Sequence, residues 1–377
     1  MSVYVSRDTF NSRERFDRLR KPGAPPELFQ LEVTARCNNN CRHCCINLPA
    51  GDRDARTEEL SVEEIARIGG EAVELGVTWC LITGGEPLLR DDFAELYLAL
   101  RRRGFLVTVF TNACLVTEQH VALFRKYPPR DLEVSVYGVT RDTYERVTRR
   151  AGSFEAFQRG LALLHEGGVK VRLKAMGLRS NLHELPDIIR FCRENTKDII
   201  RFDPLLSLRY DGDLVRNEEI RSERLSATEI IALEQADSAF AEFLEAECDA
   251  LIVPAFERRV SDRLFRCGAG RGTFTVSYKG EFRLCSNLWH PACTFDLRRG
   301  SLIEAWQQFV PRVLSIRPTS TEYSARCGSC ALVNLCQWCP ASAYLENGTL
   351  EGWSERFCQV AHARAEVIQQ RVAEAGE

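Results

Sequence analysis

The strand-like run Phe29-Gln30-Leu31-Glu32-Val33-Thr34 is followed, two residues on, by Cys37-Asn38-Asn39-Asn40-Cys41-Arg42-His43-Cys44-Cys45. Four cysteines on one short loop after a strand demand a chemical reason. Three thiolates spaced C-x3-C-x2-C can hold three irons of a [4Fe–4S] cube and leave the fourth iron without a protein ligand. Such an open iron can take a substrate or a cofactor. A structural zinc knot or buried thiols are the competing explanations, and Cys45 offers a second set spaced C-x3-C-x3-C.

Outward from that loop, short β-branched runs alternate with amphipathic helical stretches as far as residue 205. The pattern predicts strands over 30–34, 79–83, 106–111, 132–137, 169–175 and 199–202. Helices are expected over 62–75, 92–103, 118–126, 154–166 and 186–194, with Ser61 and Glu64 spaced as a capping box. Six strand–helix repeats imply a parallel sheet wound by right-handed crossovers, and six are too few to close an eight-fold barrel. The fold class is therefore α/β, a partial (β/α)6 TIM-like barrel with a small cysteine-rich C-terminal domain. Chemistry collects at the carboxyl ends of such strands, where the cysteine loop lies.

The expected division is an N-terminal extension over 1–28, the barrel over 29–205, a helical bridge over 206–266 with a helix at 227–247, and the cysteine-rich part over 267–377. In that last part helical periodicity fades, and short strands at 274–277 and 281–284 flank the turn Lys279-Gly280. Its apolar sequence looks too sparse for a core of its own, so metal clusters would supply stability. Residues 206–213 read as a solvated linker or, because the sixth strand end opens on the same rim, as a source of substrate contacts. Arg209 and Asp211 are the charged candidates there.

Fifty basic residues against fifty-three acidic ones give a net charge of −3, which argues against a nucleic-acid partner. No apolar run has membrane-spanning length, and the polar, Arg-rich start has no signal-peptide core, so a cytoplasmic protein without a membrane partner is expected. Sixteen cysteines in that setting point to metal ligation rather than disulfides.

The spacing Cys37-x3-Cys41-x2-Cys44 resembles the radical S-adenosylmethionine (SAM) superfamily. The resemblance implies that SAM chelates the open iron of the [4Fe–4S] cluster and is cleaved by one electron to a 5′-deoxyadenosyl radical. Thr83-Gly84-Gly85-Glu86-Pro87, at the next strand end, matches the family motif for the SAM amino group. Glycines at a strand end let a ligand approach the backbone, and the acid can bond an ammonium. Asn112 and Ser135 match positions that place polar groups on the SAM ribose or carboxylate, and His43 stands where relatives carry an aromatic residue beside the adenine. Either Arg149 or Arg150 matches an arginine that reaches SAM.

The remaining motif is Cys267, Gly280-x4-Cys285, Cys327-x2-Cys330-x5-Cys336-x2-Cys339 and Cys358. It resembles the SPASM extension of radical SAM enzymes, which carries two auxiliary Fe–S clusters. Zinc ribbons also use paired C-x2-C motifs but separate the pairs by longer loops. The resemblance implies one cluster on Cys327, Cys330, Cys336 and Cys358. A second would rest on Cys267, Cys285 and Cys339, with an open iron unless Cys293 completes it. Relatives commonly have three residues, not two, between the cysteines matching Cys336 and Cys339. Cys80, Cys114, Cys192 and Cys248 read as core thiols.

Relatives with this extension mostly modify peptides, so the expected function is crosslinking, epimerisation or oxidation of a ribosomally made peptide. Formylglycine formation fits less well, because Ser286 stands where those relatives have Asp. A small-molecule enzyme acting on tetrapyrrole side chains is the alternative, and a non-enzymatic iron–sulfur electron carrier is the third reading. A flavodoxin- or ferredoxin-type electron donor is implied. With only 36 residues before Cys37, a leader-peptide-binding partner is expected as a separate protein. Glu281, Ser286, Trp289 and His290 flank Cys285 and could line a substrate gap, with Ser286, His290 and Asp211 as candidate catalytic residues.

Overall fold

The computed structural model describes residues 25–196, 201–203, 205–236, 251–252 and 263–375. Nearly all of the N-terminal extension, residues 199–200 of the sixth strand, the second half of the helix expected at 227–247, and Cys248 lie outside the described residues.

Six parallel strands form the expected sheet in sequence order: β1 (Leu28–Glu32), β2 (Trp79–Thr83), β3 (Leu106–Thr111), β4 (Asp131–Val136), β5 (Arg172–Met176) and β6 (Arg201–Asp203). Alternation along each strand sorts the side chains. Phe29, Leu31, Cys80, Ile82, Val107, Val109, Leu132 and Val134 are buried in one apolar core with Ile65, Ile68, Leu96, Leu100, Phe157 and Leu164 of the covering helices. Intervening positions put Glu32, Thr108, Glu133, Ser135 and Lys174 on the opposite face. Ser61 and Glu64 make the expected capping box of the helix Val62–Glu74.

The cysteine-rich part does not stand apart from this sheet. Strand β7 (Thr273–Val276) pairs in parallel with β1, and β8 (Glu281–Arg283) and β9 (Thr294–Asp296) extend the same sheet antiparallel. Phe274 stacks on Phe29 at 5.5 Å, and Val276, Phe282, Trp306 and Phe309 join the same core. The sparse apolar sequence of this part is therefore buried in the barrel's core rather than around one of its own.

Several helices lie outside the expected set. Glu355–Ala375 extends for 21 residues where fading helicity was expected, and it buries Phe357, Val360, Ala361, Arg364, Ala365 and Ile368 along one face. Leu214–Glu223 buries Asn217, Ile220 and Glu223, which makes no apolar stripe. Among the described residues no helix is long and apolar enough to cross a membrane.

Candidate active site

The cysteine loop leaves β1 through Arg36–Cys37, which pairs with Leu48–Pro49 and closes residues 38–47 into one excursion. Within it Cys37, Cys41 and Cys44 come together. Burial drives the Cys37 and Cys41 thiols well above their ordinary range, and Cys44 adds to both, as Cys37 does to Cys41. Cys45 turns away. Burial lifts it to about 12, and beyond Cys44 its charged neighbours are Glu32 and Arg209. Of the two spacings, the fold therefore gathers the one ending at Cys44. Cys114, read as a core thiol, is indeed buried, but it lies against the same trio and acts on both Cys37 and Cys41.

His43 is buried against Tyr137, with ring centroids 5.2 Å apart. Burial first, then Arg216 and Lys174, lowers it to about 4, so the imidazole is neutral near pH 7. Its Nδ1 and the Asn38 Nδ2 are buried without a hydrogen-bond partner. Orphaned buried polar atoms of this kind are costly unless a ligand engages them.

At the end of β2, the close approach that the glycines allow is one the chain itself makes. A Cβ on Gly84, whose φ is +138°, would lie 2.2 Å from the Thr34 carbonyl oxygen, and one on Gly85 would lie 2.2 Å from that of Arg36. The Gly85 N–H donates to Thr34 O at 2.7 Å, and that of Glu86 to Arg36 O at 2.9 Å. The Glu86 carboxylate is wholly buried and accepts from Leu88 N, Thr111 Oγ1 and Asn112 N at 3.1, 2.8 and 2.7 Å. Burial raises it to about 7 against those bonds. Asn112 in turn donates from Nδ2 to Asn38 Oδ1 at 2.8 Å. Ser135 faces Lys174 across β4 and β5 and bonds Tyr137, the ring under His43. Of the two arginines, Arg149 has a left-handed backbone and pairs with Glu219, whereas Arg150 reaches Asn39 Oδ1 at 3.4 Å.

The loop after β6 is not a solvated linker, and that expectation is overturned. Leu206, Leu208 and Arg209 are buried, because Arg209 Nη1 donates to the carbonyl and side-chain oxygens of Asn47 at 3.1 and 3.2 Å. Arg216 Nη2 reaches Cys41 O at 3.0 Å, so two arginines brace the cysteine loop from outside. Against burial, which raises it, the Arg209 guanidinium holds Asp211 below the usual carboxylate range, and the two are 2.5 Å apart. Tyr210 stacks on Trp289 with centroids 4.0 Å apart.

The C-terminal thiols fall into two groups. Burial, then Cys339 and Cys267, pushes Cys285 up to about 12, with Arg283 opposing. Burial, then Cys336, Cys330 and Cys358, pushes Cys327 up to about 11. Cys293 is fully buried, and burial alone lifts it to about 11. Neither group acts on it. Among the described residues no three His, Cys, Asp or Glu side chains close around a point as a single-ion site does. The Ser286 carbonyl accepts from Arg283 Nη1 at 2.8 Å. His290 accepts at Nδ1 from Ala292 N at 3.2 Å, capping a short turn, and its ring meets Tyr344 edge-on.

Sequence reading missed Arg283, Glu32 and Arg216. The available signal was a charge at a polar-face position of a strand, which β1 and β8 both carry.

A model of the radical SAM superfamily matches residues 31–192. Those residues are a radical SAM domain. Over most of its length the chain is similar to the AdoMet-dependent heme synthase of Nitratidesulfovibrio vulgaris, 24% identical and covering 86% of this chain and 90% of that one. It is also similar to the subtilosin biosynthesis protein AlbA of Bacillus subtilis, 22% identical over 82% and 70% of the two chains. Streptococcus suis SuiB bound to its precursor peptide SuiA shares the fold, with a TM-score of 0.68 at 18% identity, covering 93% of this chain and 80% of that one. Around the radical SAM domain the cysteine-rich part completes the sheet, and the chain is a radical SAM enzyme.

Proposed function

We propose that this enzyme modifies a ribosomally made peptide or protein by crosslinking, epimerisation or oxidation. The observation that supports the reading is the presence of three separate thiol groups: Cys37/Cys41/Cys44, Cys267/Cys285/Cys339 and Cys327/Cys330/Cys336/Cys358. They suit a SAM-binding [4Fe–4S] cluster and two auxiliary Fe–S clusters. SAM bound at the first supplies a 5′-deoxyadenosyl radical after one-electron cleavage.

The chain's own residues orient and enclose that chemistry. Asn38 Nδ2 and His43 Nδ1 are buried atoms that suit bonds to SAM, with Tyr137 and Ser135 supporting the His43 ring. Glu86 and Asn112 tie the ends of β2 and β3 to the loop, so Gly84 and Gly85 act by fixing its position. Arg209 and Arg216 hold it from the other side, and Asp211 keeps Arg209 in place. Ser286 and His290, close to Cys285 in the chain, would line a substrate gap in which a side chain meets the radical.

SuiB was crystallised with a precursor peptide, and AlbA carries the name of a bacteriocin biosynthesis protein; both support a peptide substrate. A flavodoxin- or ferredoxin-type donor and a separate leader-binding protein complete the proposed cytoplasmic system. The heme synthase likeness favours one second reading, side-chain modification of a tetrapyrrole. The test is incubation of the reconstituted enzyme with SAM, reductant and either a precursor peptide encoded beside it or an iron porphyrin. A SAM-dependent mass change in the peptide supports the first reading. Turnover of the porphyrin with an unchanged peptide overturns it.

A further inference from the structure

The polar face of the sheet carries a fully buried arginine at the junction of the two ligand-bearing regions. Arg283, on β8, donates from Nη2 to Glu32 Oε2 of β1 at 2.5 Å and from Nη1 to the Ser286 carbonyl at 2.8 Å. Its guanidinium lies 3.3 Å from the Trp289 ring centroid, and Trp289 stacks in turn on Tyr210. The Nε remains without a partner. Strand register already fixes the backbone, because Arg283 is opposite Thr275 of β7, which is opposite Gln30 of β1. The pair is therefore not needed to hold the strands together, and a buried ion pair returns little net stability.

A second pattern points the same way. Each thiol group has one buried arginine held by a carboxylate: Arg209 with Asp211 beside Cys44, Arg283 with Glu32 beside Cys285, and Arg364 with Glu234 beside Cys336. Cluster potentials respond to nearby charge, hydrogen bonding and solvent exposure. A buried cation favours the more negative, reduced state of a cluster, and a carboxylate on its far side offsets part of that effect.

We propose that Arg283, partly neutralised by Glu32, is a positioning residue that sets the reduction potential of the cluster on Cys267, Cys285 and Cys339. This rests on the cluster assignment above. The two charges then act in opposite directions on one site while leaving the site on Cys327, Cys330, Cys336 and Cys358 alone.

The experiment is an EPR-monitored redox titration of the reconstituted full chain, with the signal that disappears in Cys285→Ala assigned to this site. Glu32→Gln is expected to move that midpoint positive. Arg283→Gln should move it negative, and Arg283→Lys should restore it toward the wild-type value. The midpoint of the cluster on Cys327, Cys330, Cys336 and Cys358 is expected to stay put. Iron content near wild type with unmoved midpoints, or with both neutralising variants shifting the same way, overturns the proposal. If Arg283→Gln loses the cluster, Glu32→Gln decides alone, and an unmoved midpoint there is fatal. Wild-type protein lacking any signal that depends on Cys285 removes the cluster assignment itself, a distinct failure.

Discussion

A β-carbon on Gly85 would sit 2.2 Å from the Arg36 carbonyl, with no flexible neighbour to give way. Gly85→Ala should cost about 3 kcal/mol or more, since backbone rather than a side-chain tip must move. The same displacement should lower the iron held at Cys37, Cys41 and Cys44, read as iron per chain beside the melting temperature. The neighbouring thiols make a sharper test. Cys44→Ala should abolish formation of 5′-deoxyadenosine from SAM, whereas Cys45→Ala should retain it, because Cys45 faces Glu32 and Arg209. Equal loss in both variants would refute the choice. The trio was legible because its spacing is local and its chemistry is distinctive. The Cys44 and Cys45 alternatives are also local, but only the turn of the loop separates them. Glu32 with Arg283 was not legible, since partners that far apart in sequence meet only after the sheet has formed.

Most barrel helices with an apolar stripe were read close to their bounds, and a helix without one was easily missed. Leu214–Glu223 is such a case: it is placed by what it bonds, through Asp213 at its N-cap and Arg216 on Cys41 O. The next helix, Ala227–Ala236, is tied down by Glu229. That carboxylate is bonded by Arg179 and by the N–H and hydroxyl of Ser226, which together lower it to about 2. A depressed acid contributes stability that is present above its unfolded pKa near 4.5 and lost as pH falls toward 2. The stability difference between wild type and Glu229→Gln should therefore be constant above about pH 5 and shrink through the acid limb. Because the pair is partly solvent-exposed, the difference should also be small and fall with added salt. A pH-independent difference would mean that the ionised pair is not its source.

Across the whole molecule, the far end of the chain is fastened by a second buried pair. Arg364 of the C-terminal helix bonds both oxygens of Glu234 at 3.0 and 2.5 Å, and the Leu335 carbonyl at 2.8 Å. Arg364→Ala should cost about 3–5 kcal/mol by stranding a buried carboxylate, whereas Arg364→Met with Glu234→Leu should recover most of it. Thermal unfolding of the three proteins would measure this. The six-stranded α/β plan was legible because strand and helix periods differ. The continuity of the sheet into the cysteine-rich part was not, because pairing partners of β7 leave no local mark.

That continuity gives the protein a calendar. Leu28 to Leu31 pair on one side with residues 79–82 and on the other with residues 273–276. During synthesis the strand leading into the cysteine loop therefore gains one neighbour early and waits for the other until most of the chain has emerged. Until then its outer edge is an open template for a foreign strand. The strand that leads into the cysteine loop is framed by the edge that closes last. A nascent chain halted before residue 273 should thus be the species most in need of a chaperone.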